Sequence, residues 1–314
     1  MSSIKFVKMH GQGNDFVIID ALNDDIILSS EVISCICDRH FGIGADGLIF
    51  IRKSASADFF MDYYNQDGTT AEMCGNGIRC MAGYIITHNY SLKDNFTIDT
   101  RAGIKNISVF ENNNTGKKDL KNISIKVDMG KPVFEPGKIP VNIENPDMNS
   151  TAAAKAGTGA SEQVKNTPLK VYSWPLEACG NLFKINCVSM GNPHCVIFLD
   201  DNTELNSIPL KKWGSAIENH PLFPAKTNVE FIKITGGQVY MRVWERGVGE
   251  TLACGTGACA SAVCTISLGK TASNDVKVFL PGGMLSVLWD GNESPVFLEG
   301  CVKTVFEGIY YINQ

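Results

Sequence analysis

The segments "AEMCGNGIRCMAG" (71–83) and "TLACGTGACASAV" (251–263) are two versions of one pattern: a cysteine, a Gly-x-Gly step, then a run of small and apolar residues. Cys74 and Cys254 stand 180 positions apart. Two further landmarks keep nearly the same spacing. "GNDFVIID" (13–20) matches "GNPHCVIFLD" (191–200), with Asn14 and Asn192 offset by 178, and "DTRAGIKNISVF" (99–110) matches "FLPGGMLSVLW" (279–289), with Gly103 and Gly283 offset by 180. Independent motifs would not hold register this closely, so the chain consists of two homologous halves.

Each half reads alike. Runs such as "FVIID", "GLIFIR" and "DFFMDYYN" predict strands with one or two buried faces. One strong helix signal follows each Cys-Gly, at "GNGIRCMAGYIITHNY" and "GTGACASAVCTISLG". Small and apolar residues on every side suit a helix enclosed by a curled sheet. The predicted fold is α+β: two pseudo-symmetric domains, each a strongly curved, mostly antiparallel sheet or barrel around a central helix. The boundary falls near "VDMGKP", giving halves of 1–128 and 129–302. The tip 111–122 is polar, and an Ala/Gly/Ser-rich insertion at about 148–166 reads as a mobile surface segment with no catalytic part.

Composition excludes several classes. The 314 residues are 44% hydrophobic and 19% charged, with a net charge of −5. Clustered Lys/Arg is missing, which disfavours nucleic acid as a partner. No apolar run approaches the roughly 18 residues of a membrane span, and no signal-peptide pattern opens the sequence. A cytoplasmic location is the expectation. The eleven cysteines are odd in number, contain no Cys-x-x-Cys, and mostly sit in apolar strings, so they read as thiols and small buried hydrophobes, without a metal site or disulfide framework.

A cysteine at a helix start faces unpaired backbone N–H groups and the positive end of the macrodipole, which predicts a thiol pKa lowered toward neutrality. The glycines allow an anion close to those N–H groups. Taken alone, such a corner is merely a small residue at a tight turn. Two in symmetric positions predict opposed thiols across one cleft. That arrangement suits inversion of a carbon stereocentre, in which one thiolate removes a proton and one thiol delivers another to the opposite face. Asn65 and Glu245, each nine residues before its cysteine, are placed to accept an ammonium, and Glu245 also to orient a thiol. Arg246 offers a fork for a carboxylate. Isolated, Glu245 and Arg246 would be a solvated surface pair and His194 a core histidine; their places beside the repeat favour roles in the site.

These motifs, with "KMHGQGNDFVIID", "DRHFGIGADGLIF", "SMGNPHCVIF" and "TNVEFI", resemble the diaminopimelate epimerases over nearly the whole length outside 111–122 and 141–182. The resemblance implies a racemase that needs no pyridoxal phosphate or other cofactor and interconverts LL- and meso-diaminopimelate for lysine and peptidoglycan precursors. It implies Cys74 and Cys254 as the acid/base pair, with His194 and Glu245 as supporting partners. Backbone amides of Gly75, Asn76, Gly255 and Thr256 would hold the carboxylate at the reacting centre, and Asn65 and Glu245 its ammonium. Asn14, Asn192, Asn228 and Arg246 would read the distal end. Family members are cytoplasmic homodimers, and their last strand can return to the first domain, here 303–314. Some carry Gln where this chain has Gly47. The rival readings are a proline or hydroxyproline racemase, an isomerase of the same fold that uses no cysteines, a thiol-redox protein or sensor, and a non-catalytic amino-acid-binding protein; separately, a closed cleft would let Cys74 and Cys254 oxidise to a disulfide that inactivates the enzyme.

Overall fold

The computed structural model describes residues 2–111, 123–143 and 170–312; the tip at 112–122 and the insertion at 148–166 lie outside them. The first half runs β1 (Ser2–Gly11), β2 (Asn14–Asp20), α1 (Ser30–Cys37), β3 (Gly47–Arg52), β4 (Phe59–Asn65), α2 (Gly75–Thr87), β5 (Asn95–Asp99), β6 (Lys105–Glu111) and β7 (Ile123–Asp128). The second runs β8 (Trp174–Ala178), β9 (Asn181–Ser189), β10 (Pro193–Phe198), α3 (Leu210–Glu218), β11 (Asn228–Thr235), β12 (Gln238–Glu245), β13 (Gly249–Thr251), α4 (Gly255–Ser267), β14 (Asp275–Leu280), β15 (Gly283–Leu288) and β16 (Phe297–Gly300). β17 (Lys303–Ile312) closes the chain.

Strand pairing repeats between the halves. β2 runs parallel to β3 as β10 does to β11, and β4 parallel to β5 as β12 does to β14; β6 and β7 follow antiparallel, as do β15 and β16. β17 pairs with β1 as β8 pairs with β9. The halves join through β7 and β16, where Leu298 faces Val127. Those two are counterparts, since Val127 pairs with Ile107 and Leu298 with Val287, 180 positions on. All seventeen strands therefore form one continuous sheet, not two separate ones.

The sheet curls round the two repeat helices. α4 touches strands from β9 to β16, and α2 touches β1, β2, β3 and β7. Both are buried along nearly their full length, in one core cluster. Period-2 alternation divides β2: Phe16 and Ile18 face α2, whereas Val17 and Ile19 pack outward against Ile33 and Ile36 of α1. In the second half the outward cluster contains Cys195, Ile197, Val229 and Phe231 with Leu210 and Ile217 of α3. The covers α1 and α3 are additions to the one helix per half that the sequence predicts. Continuous apolar strands such as "GLIFIR" require them, because their outer faces would otherwise be wet. Ser29 caps α1 by accepting from Val32 N at 3.4 Å.

Candidate active site

Gly75 and Gly255, the first residues of α2 and α4, bring the two helix starts together. A Cβ on Gly255 would lie 3.7 Å from Gly75 Cα, and Leu298 Cδ2 would lie 3.0 Å from that Cβ and 3.2 Å from one on Gly75. A side chain at either position would press on Leu298. The N-caps are Cys74 and Cys254, so each thiol stands at the start of its helix. The Gly-Asn loops that flank them need left-handed backbone at Gly13 (φ 85°) and Gly191 (φ 95°).

On the first side, Cys74 Sγ lies 3.5 Å from Asn14 Oδ1, which also accepts from Asn76 Nδ2 at 3.1 Å. Asp46 fixes Asn14 by accepting from its Nδ2 at 2.7 Å. Beneath them the fully buried Arg79 donates to Gly75 O at 3.0 Å and to Asn76 Oδ1 and Gln12 Oε1 at 2.5 Å each. On the second side, Cys254 Sγ lies 3.5 Å from Thr256 Oγ1, which accepts from Asn192 Nδ2 at 3.3 Å. Asn192 Oδ1 is 2.9 Å from His194 Nε2, and His194 Nδ1 is 2.7 Å from Glu230 Oε1. Glu245 accepts from Thr251 Oγ1 at 2.5 Å and from the Cys254 thiol.

Asn65 and Glu245 end β4 and β12 at matched turns, each accepting a backbone N–H three residues on. Asn65 donates to Thr69 Oγ1 at 3.0 Å. Asn228 is buried, donating to Pro193 O at 2.8 Å and accepting from Arg246 N at 2.9 Å. The Arg246 side chain is exposed and reaches Ala225 O at 3.3 Å. His194 does not touch a thiol directly; Asn192 and Thr256 stand between. A Cβ at Gly47 would lie 2.5 Å from Tyr64 O, so a glutamine there would require the strands to shift.

The predicted lowering of the thiol pKa is corrected. Burial pushes both cysteines up, Cys254 well above the usual range; it is only 5% exposed. Backbone N–H groups of Asn76 and Gly77 at Cys74, and of Gly257 at Cys254, pull downward, as helix starts should, but desolvation outweighs them. The nearby Glu245 and Glu230 carboxylates raise Cys254 further. Burial likewise raises the Glu245 carboxyl, partly offset by its bonds from Thr251 and Cys254.

Sequence reading missed Glu230, Asp46 and Arg79. The signal for Glu230 and Arg79 was a charge inside otherwise apolar strings ("NVEFI", "GIRCMAG"), which in a buried element needs a partner; Asp46, with a side chain 40% exposed ahead of β3, carries no such signal. All eleven cysteines are free. Among the described residues no group of three or more His, Cys, Asp and Glu forms a metal cluster, and no helix is long and apolar enough to cross a membrane.

A family model described as diaminopimelate epimerase matches residues 6–135 and 186–305, two segments whose starts are 180 residues apart, as the repeat requires. The chain belongs to the diaminopimelate epimerase family. It is 45% identical to a diaminopimelate epimerase of Halothermothrix orenii, covering 99% of each chain, and 43% identical to that of Leptospira biflexa, covering 97% of this chain and 98% of the other. The fold is shared more widely. A Bacillus anthracis phenazine biosynthesis protein of the PhzF family superposes with a TM-score of 0.67 at 18% identity, covering 99% of this chain and 100% of the other.

Proposed function

We propose that this chain interconverts LL- and meso-2,6-diaminopimelate by two-base α-proton transfer between Cys74 and Cys254, the activity that its family and relatives carry by name. The observation that carries the mechanism is the meeting of two helix starts, each N-capped by a cysteine. A carboxylate there is held by N–H groups of Gly75, Asn76, Gly255 and Thr256 and by the positive ends of both helices. One thiolate takes the α-proton and becomes a thiol, while the electron pair moves into the carboxylate. The opposite thiol then protonates the α-carbon from the other face and becomes the thiolate. Growing negative charge on the carboxylate is met by donors already in place. Glu245 accepts the proton of Cys254, because burial raises its affinity for one. His194 supports the same thiol through Asn192 and Thr256.

Asn65 and Glu245 take the ammonium at the reacting carbon, and Asn14, Asn192, Asn228 and Arg246 take the distal amino-acid end. The halves divide as 1–128 with 303–314, and 129–302. The protein works in the cytoplasm, without a cofactor, as a homodimer. Supporting the dimer, β17 pairs on one side only among the described residues and exposes Ile309 and Tyr311, 51% and 58% accessible.

The deciding experiment places the protein, reduced and without added cofactor, in D2O with LL-diaminopimelate and separately with L-proline. Deuterium at one α-carbon together with meso product, and none in proline, is the expected result. Exchange in proline alone would move the chain to the proline-type racemases. No exchange in either would overturn the epimerase reading.

A further inference from the structure

The two halves differ where the thiols are supported from inside the sheet. In the first half, a Cβ on Gly77 of α2 would lie 3.4 Å from Phe16 Cε1 and 3.0 Å from Ile49 Cδ1, so the surroundings are apolar. Strand register carries those two places onto His194 and Glu230. β2 and β3 pair Phe16 with Gly47 and Ile18 with Ile49; β10 and β11 pair His194 with Asn228 and Val196 with Glu230. Asn14 and Asn192, the matched asparagines of the repeat, each stand two residues ahead of Phe16 and His194. Gly257, counterpart of Gly77, agrees: its Cβ would lie 2.8 Å from Glu230 Oε1 and 3.3 Å from Cys254 Cβ. The same frame thus holds two apolar side chains beside one helix start, and an imidazole and a carboxylate beside the other.

Both polar residues are fully buried. A carboxylate without solvent needs a partner, and the one that Glu230 has is His194 Nδ1 at 2.7 Å; Glu230 Oε2 has none among the described residues. On its other side the ring meets Asn192 Oδ1 at 2.9 Å, the oxygen of an amide whose nitrogen already donates to Thr256. The buried carboxylate thus fixes the ring and turns its Nε2 toward Asn192, from which contacts lead through Thr256 to the Cys254 thiol.

We propose that Glu230 is a positioning residue for the epimerisation: its carboxylate holds the His194 ring against Asn192 on the Cys254 side, where the Cys74 side has Phe16 and Ile49 instead. This rests on the reading of Cys254 and His194 as parts of the reacting site. Facing the ring and its carboxylate are Glu245 from β12 and Cys254 at the start of α4, with Cys195 on β10 and Cys187 and Cys264 behind. A ring held in one orientation keeps Asn192 and Thr256 aligned on the second thiol, and a loosened ring would release that chain of contacts.

The test is Glu230→Gln, which keeps the volume and an oxygen acceptor and removes the charge. Protein labelled with 15N-histidine reports the surroundings of each ring through its nitrogen shifts, with the His194 signal assigned by its loss in His194→Gln. The His194 nitrogens of E230Q are expected to move from their wild-type positions, and its kcat to fall at least tenfold with KM little changed. An unchanged urea midpoint separates this from misfolding. An E230Q that keeps the wild-type kcat overturns the proposal alone. A wild type that exchanges no α-proton overturns the epimerase reading and the positioning role with it, whatever the ring does.

Discussion

At the scale of single residues, opposing effects meet at the sulfurs. Helix starts favour a thiolate and burial disfavours it, and here burial wins at both cysteines. The free enzyme therefore keeps two neutral thiols near pH 7, and each thiolate fraction grows only as pH rises past the ordinary cysteine range of about 8.5. Iodoacetamide labelling, followed for the Cys74 and Cys254 peptides, is expected to keep accelerating at pH values where glutathione has levelled. A plateau near neutral pH would show that the N–H groups dominate in solution. Each single Cys→Ala change is expected to reduce epimerisation by at least 10³-fold, because removing either the base or the acid stops inversion. A variant retaining a tenth of the activity would remove that cysteine from the two-base scheme.

At the scale of elements, α2 and α4 are held tip to tip by an absence of side chains. Gly255→Ala would set a methyl group 3.0 Å from Leu298 Cδ2 and 3.7 Å from Gly75 Cα. Overpacking of this kind costs about 1–3 kcal/mol. Because Gly255 opens α4 where the proposed carboxylate site lies, kcat/KM is expected to fall more than tenfold. Leu298→Ala in the same chain relieves the tight contact, so a double-mutant cycle in urea should show coupling between the sites. Strict additivity would mean that Leu298 does not pack on the start of α4. These two helices were legible in the sequence because Cys-Gly-x-Gly and an all-round apolar composition are strong local signals. So were β2, β3 and β4, through the repeat. The covers α1 and α3 were not. "SEVISCIC" reads as one more apolar string, and only the two-faced burial of β3 demands something over it. Glu230 was hidden for a related reason: which strand neighbours His194 is a matter of parallel register, set by tertiary pairing and not by spacing. The thiol shift was misjudged because local sequence shows the helix start but not the depth of burial around it.

At the scale of the whole molecule, the sheet begins at β17 and ends at β8, and the chain's last strand completes its first half by pairing with β1 over nine residue pairs. One face of β17 is spoken for: Phe306 meets Phe6 edge-on at 5.7 Å, and Tyr310 and Ile312 pack on the core beneath α1. The other face sends Ile309 and Tyr311 into solvent beside a strand edge that is unpaired among the described residues, with Glu307 the one charge that follows Lys303. Such an edge is an aggregation hazard in a lone monomer and a ready seam for a second copy, which presents the same strand under twofold symmetry. Ile309→Asp with Tyr311→Asp places like charges on both sides of that seam without touching the inward face. Sedimentation is expected to show the wild type as a dimer and the double variant as a monomer, with its urea transition retained. The two helix starts belong to a single chain, so the monomer keeps a complete set of thiols and N–H donors. Any loss of turnover then measures how far the pairing of β17 steadies β1 and the Gly13–Asn14 loop that follows it. A wild type that sediments as a monomer at micromolar concentration would leave the exposed pair without this role.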